Sequence, residues 1–248
     1  MKGISMPELN KIYNIDCLVG MKNIPTGSVD MVLSDLPYAC LDCTWDKPID
    51  LTAWWEQINR IIKDNGAVVL TANMKFAIEL INSNRKYFRY DLIWQKTSPV
   101  GFVNCNRMPM RDHELILVFY KRLPIYNPQG IIVADNPKSM RKSFAGKDYA
   151  YRARSLSNAY IQKYKNYPRS VITFANTNNK TIHPTQKPLE MFKYLINTYT
   201  NPGAVILDTC MGSGTTAAAA LETGRFFIGF ETDERYFKAA CERVDEYK

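Results

Sequence analysis

The segment from Val205 to Ala217 (VILDTCMGSGTTA) combines a buried-type strand, a tight glycine turn and the start of an alanine-rich helix. No other stretch narrows the available folds as far. The strand covers Ala204 to Leu207 and the helix runs from Thr215 to Thr223. Gly212 and Gly214 lack the Cβ that would keep a ligand away from the backbone, and they tolerate positive φ. The first turn of the helix, at Thr215 and Thr216, offers unpaired N–H groups and a positive dipole end. A further strand, Phe226 to Phe230, ends at Glu231, where a carboxylate can accept from two ribose hydroxyls. Taken alone, the turn also fits the G-x-G-x-x-G/A pattern of a dinucleotide site, or a turn that only packs helix on strand. Its position counts against a dinucleotide enzyme. Only one strand and one helix (233–245) follow it, so the rest of the sheet must come from residues that precede it.

Those residues supply alternating elements. Ile12 to Ile15 is a short apolar run, followed by an amphipathic stretch through Met21 and Ile24. Val29 to Leu33 has the pattern of a buried strand. A helix is expected over Leu51 to Lys63, stopped by Asn65-Gly66, and then a strand over Ala67 to Thr71. A helix over 75–85 and strands over 88–95 and 114–120 come next, and a second amphipathic helix spans Leu189 to Thr200. Strands separated by helices imply an α/β protein with a mostly parallel sheet.

The pattern fails from about Leu123 to Thr181, which is expected to be an insert between catalytic segments 1–122 and 182–248. The chain's net charge of +8 is concentrated in this region. Twelve Lys and Arg against Asp135 and Asp148 give the stretch from Lys121 to Lys180 a charge of +10, leaving −2 elsewhere. Aromatics such as Tyr126, Tyr149, Tyr151 and Tyr164 are interleaved with the cations. Cations meet phosphates and aromatic planes meet bases, so the segment suits a polyanionic nucleic acid. Arg141, Lys142, Lys147, Arg152, Arg154, Lys163 and Lys165 are the candidate DNA contacts. An elaborate surface loop is the plainer alternative.

Asp35-Leu36-Pro37-Tyr38 follows the Val29 strand. An exocyclic amine on an aromatic base is a weak nucleophile, because its lone pair is delocalised into the ring. Two fixed acceptors, the Asp35 carboxylate and the Leu36 carbonyl, can take its two N–H bonds and draw the nitrogen towards sp³ geometry. Pro37 restrains the turn, and Tyr38 can stack on the base. A base reaches such a pocket only after leaving the duplex stack. An ordinary Asp-x-Pro turn has the same residues.

Together these segments resemble the β group of amino-methylating DNA methyltransferases. Asp35-Leu36-Pro37-Tyr38 is similar to their Asp-Pro-Pro-Tyr motif. Asp208 to Thr216 resembles their cofactor motif I, Phe230-Glu231 their motif II, and His183-Pro-Thr-Gln-Lys-Pro188 their motif X. The resemblance implies a circularly permuted, Rossmann-like S-adenosylmethionine-dependent fold with a mixed, mostly parallel sheet and an inserted DNA-recognition segment. It implies that the N-terminal strand lies beside the last one, bringing Asp16 and Cys17 near the cofactor's adenine. His183, Thr185 and Lys187 then hold its methionine end, and Asp35, Asp208, Cys210, Gly212, Ser213, Gly214, Thr215 and Glu231 complete the cofactor site. The implied reaction is methyl transfer to adenine N6 of a flipped base in double-stranded DNA, with cytosine N4 the alternative. A homodimer is implied by resemblance alone. Leu36 departs from the usual first proline and Thr209-Cys210 from the commoner Pro-Phe. C5-cytosine chemistry is disfavoured, since the chain has no Pro-Cys dipeptide. Lys96, Arg111, His113 and Glu114 are further polar neighbours of the base turn, to which no role is assigned.

The remaining features exclude function classes. Cys40 and Cys43 form a lone C-x-x-C with no second ligand pair at zinc-site spacing, and the only histidines are His113 and His183, so no metal is expected. No apolar run reaches the roughly 18 residues of a membrane span, and Met1 to Asn10 has no apolar signal core. The expectation is a cytoplasmic protein from a bacterial, phage or prophage setting, with reduced cysteines.

Overall fold

The computed structural model describes residues 7–38, 47–140, 160–177 and 186–247. In chain order the elements are β1 (Lys11–Asn14), α1 (Cys17–Gly20), β2 (Val29–Ser34), α2 (Leu51–Ile61), β3 (Ile62–Ala72), α3 (Met74–Ser83), β4 (Phe88–Val100) and β5 (Arg111–Phe119). These are followed by β6 (Ile132–Met140), β7 (Tyr160–Lys165), β8 (Val171–Phe174), α4 (Leu189–Tyr199), β9 (Val205–Asp208), α5 (Thr215–Glu222), β10 (Phe226–Glu231) and α6 (Glu234–Asp245).

Among the described residues, eight strands form one sheet in the order β1-β10-β9-β2-β3-β5-β4-β8. β5 is antiparallel to both neighbours and every other pairing is parallel, so β5 alone runs against the rest. The N-terminal strand lies beside the last one, with Lys11 opposite Ile228 and Asn14 opposite Glu231. That is the permuted order that the resemblance implies. Inward side chains alternate between the two faces, as a pleated strand requires. Val68, Leu70 and Ala72 of β3 join Trp54, Ile58 and Leu80 from α2 and α3 on one face. Ala67 and Val69 join Phe192, Leu195, Ala219 and Val244 from α4, α5 and α6 on the other.

From β9 the chain proceeds to β10, whereas from β2 it proceeds to β3 on the opposite side. The boundary between β2 and β9 is therefore a topological switch point, where the ends of parallel strands leave a crevice. Asp35 and the glycine turn follow these two strands. The fold thus brings together two motifs separated by more than half the chain.

Two expectations need correction. Asn65-Gly66 does not stop the helix: α2 ends at Ile61, and β3 runs through both residues. Gly66 is needed for close packing, because a Cβ there would stand 2.8 Å from the Asp30 carbonyl, next to a register shift between β2 and β3. The span given to the insert, 123–181, also includes strand β8, which pairs with β4 of the large sheet through Ile93–Val171 to Lys96–Phe174. The smaller unit is Pro128–Arg169. By itself it contains the antiparallel pair β6–β7, in which Ile132 faces Lys165 and Lys138 faces Gln162. Short alternation broken by Pro137 hid this ribbon from the sequence pattern.

Candidate active site

A cavity of about 820 Å³ opens at the switch point. Asp16, Cys17, Asp35 to Tyr38, Lys187, Asp208, Cys210, Gly212, Ser213, Thr215 and Glu231 all line it. His183 and Thr185 lie outside the described residues, as do Arg141, Lys142, Lys147, Arg152 and Arg154. Gly214 is not in the wall. It caps α5 at φ 77°, and a Cβ there would stand 3.3 Å from Ala240.

The glycine turn is fixed from three directions. Asp208, at the end of β9, accepts from Cys210 N at 3.0 Å and from the Thr216 hydroxyl. Burial raises its carboxyl from 3.8 to about 6, against the pull of those donors. Glu231 takes Gly212 N on Oε2 at 2.7 Å and Asp233 N on Oε1 at 2.8 Å, and burial raises it too. Arg243 of α6 donates to Ser213 O at 3.0 Å and to Thr215 Oγ1 at 3.1 Å. Thr209, where the resemblance expects proline, is buried. Its hydroxyl receives Trp54 Nε1 at 3.1 Å, and its amide donates to Ser34 Oγ at 2.9 Å. These bonds tie β9 to β2 at the crevice floor.

Asp16 caps α1, accepting from Leu18 N at 2.8 Å, and remains exposed to the cavity. Asn14 Nδ2 donates to Glu231 O at 2.8 Å, which links the N-terminal strand to the turn after β10. A hydrogen bond with Cys17 and burial push the Cys210 thiol well above its usual range. It is a protonated wall of the cavity, not a nucleophile.

Asp35 is the centre of a charged cluster. Its Oδ1 accepts the Tyr38 hydroxyl at 2.9 Å and the Thr71 hydroxyl, and its Oδ2 accepts Lys187 Nζ at 2.6 Å. Lys187 is almost fully buried and also lies 3.6 Å from Glu114 Oε2. Glu114 Oε1 in turn receives Lys96 at 2.6 Å. Burial alone would lower the Lys187 ammonium, but Asp35 and Glu114 outweigh it and hold it above its ordinary value. Burial would raise Glu114, but Lys187 and Lys96 outweigh it and hold its carboxyl below its usual range. The Tyr38 ring packs on Phe76 at 5.3 Å and faces Lys187 at 5.6 Å.

Sequence reasoning left Lys96 and Glu114 without a role and missed Thr71, Trp54 and Arg243. None carries a local motif. Strand pairing would have been the one signal, since it sets Trp94 against Glu114 and Gln95 against His113.

The family model for N6/N4 DNA methylases matches residues 29–242. The chain belongs to this DNA methylase family. Relatives of the methyltransferase include type II methyltransferase M.HinfI of Haemophilus influenzae, 27% identical over 97% of this chain and 69% of its own. DNA adenine methyltransferase YhdJ of Escherichia coli is 29% identical over 96% of this chain and 83% of its own. Among solved structures, M1.HpyAVI in complex with SAM aligns at a TM-score of 0.67 and 25% identity, covering 95% of this methyltransferase and 98% of that chain. The cytosine-N4-specific PvuII DNA methyltransferase shares the fold at a TM-score of 0.66 and 17% identity, covering 98% and 92%.

Proposed function

We propose that this methyltransferase moves the methyl group of S-adenosylmethionine to N6 of an adenine flipped out of duplex DNA at a specific site. The observation that carries the reading is the shared cavity, into which both Asp35 and the Gly212 turn open. Its volume lies within the usual range for small-molecule sites.

The residues fit the cofactor. Gly212 has φ 52°, and nothing stands within 4 Å of where its Cβ would be, so the wall there is free for a ligand. Glu231 retains acceptor capacity beyond its two backbone bonds, enough for ribose hydroxyls. Asp16, Cys17, Cys210, Ser213 and Thr215 complete the lining. Bound there, S-adenosylmethionine supplies an electrophilic methyl group.

The chain's own groups prepare the amine. Asp35 accepts one N–H through the lone pair that Tyr38, Thr71 and Lys187 leave open, and the Leu36 carbonyl accepts the other. Three donors fix the carboxylate before the base arrives, so little reorganisation accompanies reaction. The proton shed by the methylated amine leaves by way of the Asp35 carboxylate. Cys210 takes no covalent part.

Adenine is favoured by the Asp at the first position of the motif and by the likeness to YhdJ, which is named an adenine enzyme. The smaller unit, Pro128–Arg169, is the recognition insert in this reading. Lys163 and Lys165 are exposed on β7, with Lys165 paired to Asp135 at 2.7 Å.

The test is to incubate the protein with tritium-labelled S-adenosylmethionine and mixed-sequence duplex DNA, then separate the nucleosides. Label in N6-methyladenine is expected. Label in N4-methylcytosine keeps the chemistry and reassigns the base. No label from folded protein overturns the reading.

A further inference from the structure

The turn between β4 and β5 leaves its apolar side chains in water. Phe102 is 75% exposed, Val103 95% and Met108 60%, all within seven residues of chain. Large apolar side chains clustered in this way on a surface mark an interaction site.

The turn is built to hold its shape. Gly101 adopts φ 92° and starts a 3-10 turn over Phe102–Asn104. Asn104 O then accepts both Arg107 N at 2.9 Å and Met108 N at 3.0 Å. At its base, Asn176 Nδ2 donates to Ser98 O at 3.0 Å. Ordering a chain segment costs roughly 1–2 kcal/mol per residue, so a folded tip that buries none of these three side chains needs a partner to explain it.

Two observations identify that partner. From Lys96 to Arg111 there is no acidic residue, and Arg107 and Arg111 are both exposed, so the tip presents apolar groups flanked by cations. Lys96, Val100 and Asn176 line the cavity that holds Asp35, so the tip rises from the cavity's own rim.

We propose that the Phe102–Met108 loop is a wedge that enters the DNA duplex beside the target and fills the space left by the flipped base. Apolar side chains inserted between base steps offset the cost of unstacking, and the flanking arginines meet the phosphates. The inference rests on the base-flipping reading above and adds an element outside the recognition insert.

The test uses the full chain and the double variant Phe102→Ala/Val103→Ala, whose side chains support nothing in the fold. Two duplexes are compared, one with a paired target and one with the target opposite an abasic site, where the gap is already open. A second pair of duplexes carries 2-aminopurine in place of the target adenine; it lacks the N6 amine, so its fluorescence reports flipping independently of methyl transfer. The variant is expected to lose roughly 10- to 100-fold in kcat/KM on the paired duplex, less than about 3-fold on the pre-opened one, and most of the fluorescence rise on the paired duplex. Equal losses on both duplexes, or an unchanged fluorescence rise, overturn the wedge. So does a shift from dimer to monomer with flipping intact, which assigns the tip to a second copy of the chain. A wild-type protein that flips 2-aminopurine but methylates neither adenine duplex counts against the methyltransferase reading and leaves the wedge standing.

Discussion

Lys187 Nζ lies 2.6 Å from Asp35 Oδ2, although 152 residues separate the two in the chain. The pair joins the segment after β8 to the turn after β2 and places a buried cation against the proposed amine acceptor. By resemblance, Lys187 belongs to a cofactor motif; in the structure its charge is paired with Asp35 and Glu114.

Lys187→Met should therefore separate two roles. Kinetics with saturating DNA are expected to show kcat falling by about 100-fold, while S-adenosylmethionine affinity by calorimetry changes less than about 3-fold. Glu114 loses one of the two cations that hold its carboxyl low, so its carboxyl should titrate at higher pH in the variant than in wild type. A large loss of cofactor affinity with kcat preserved would return Lys187 to the cofactor role.

Gly212 and Gly214 should respond differently to alanine. At Gly212 the positive φ strains any L residue, and the new Cβ also points into free space in the cavity wall, so Gly212→Ala should cost about 1 kcal/mol of stability and in addition weaken S-adenosylmethionine binding by about tenfold or more. At Gly214 the Cβ meets Ala240 at 3.3 Å, so Gly214→Ala should chiefly destabilise the fold, by about 1–3 kcal/mol. Denaturant unfolding and cofactor titration of both variants check the contrast.

Asp208 gives a pH signature of stability. Its carboxyl is raised from 3.8 to about 6, so the folded chain holds this proton more tightly than the unfolded one. The group's contribution is full below about pH 4 and is lost as pH rises through 6. Wild type should lose stability relative to Asp208→Asn between about pH 4 and 6, with the whole shift worth about 3 kcal/mol. Urea unfolding of both proteins across that range is the measurement, and a flat difference would show that the carboxyl titrates as in the unfolded chain.

The smaller unit should contribute through charge. Lys163→Ala is expected to lower the slope of log K against log salt for DNA binding by about 1, leaving cofactor affinity unchanged. A fluorescence-anisotropy salt titration measures it.

Much of this architecture is legible in the sequence because its signals are local. The glycine turn, Glu231 at the tip of the next strand and the Val29 strand before Asp35 each occupy one short segment. The partnership of β1 with β10 is legible only through the family resemblance, since neither strand marks its neighbour. Asn65-Gly66 misleads because a glycine that ends a helix and one that permits close strand packing look alike without the neighbouring Asp30 carbonyl. Val171–Phe174 is too short to stand out beside a basic stretch, and its place is set by pairing with β4. The Asp35–Lys187–Glu114–Lys96 cluster is least legible, since four separate segments supply one residue each and only the sheet order brings them together.

The most direct test of the central claim compares wild type with Asp35→Ala in methyl transfer from labelled S-adenosylmethionine to one DNA duplex, with cofactor binding measured on both. The account predicts labelled DNA from wild type, about a thousandfold less from the variant, and cofactor binding by both within a few-fold. Equal labelling by the two proteins would contradict it.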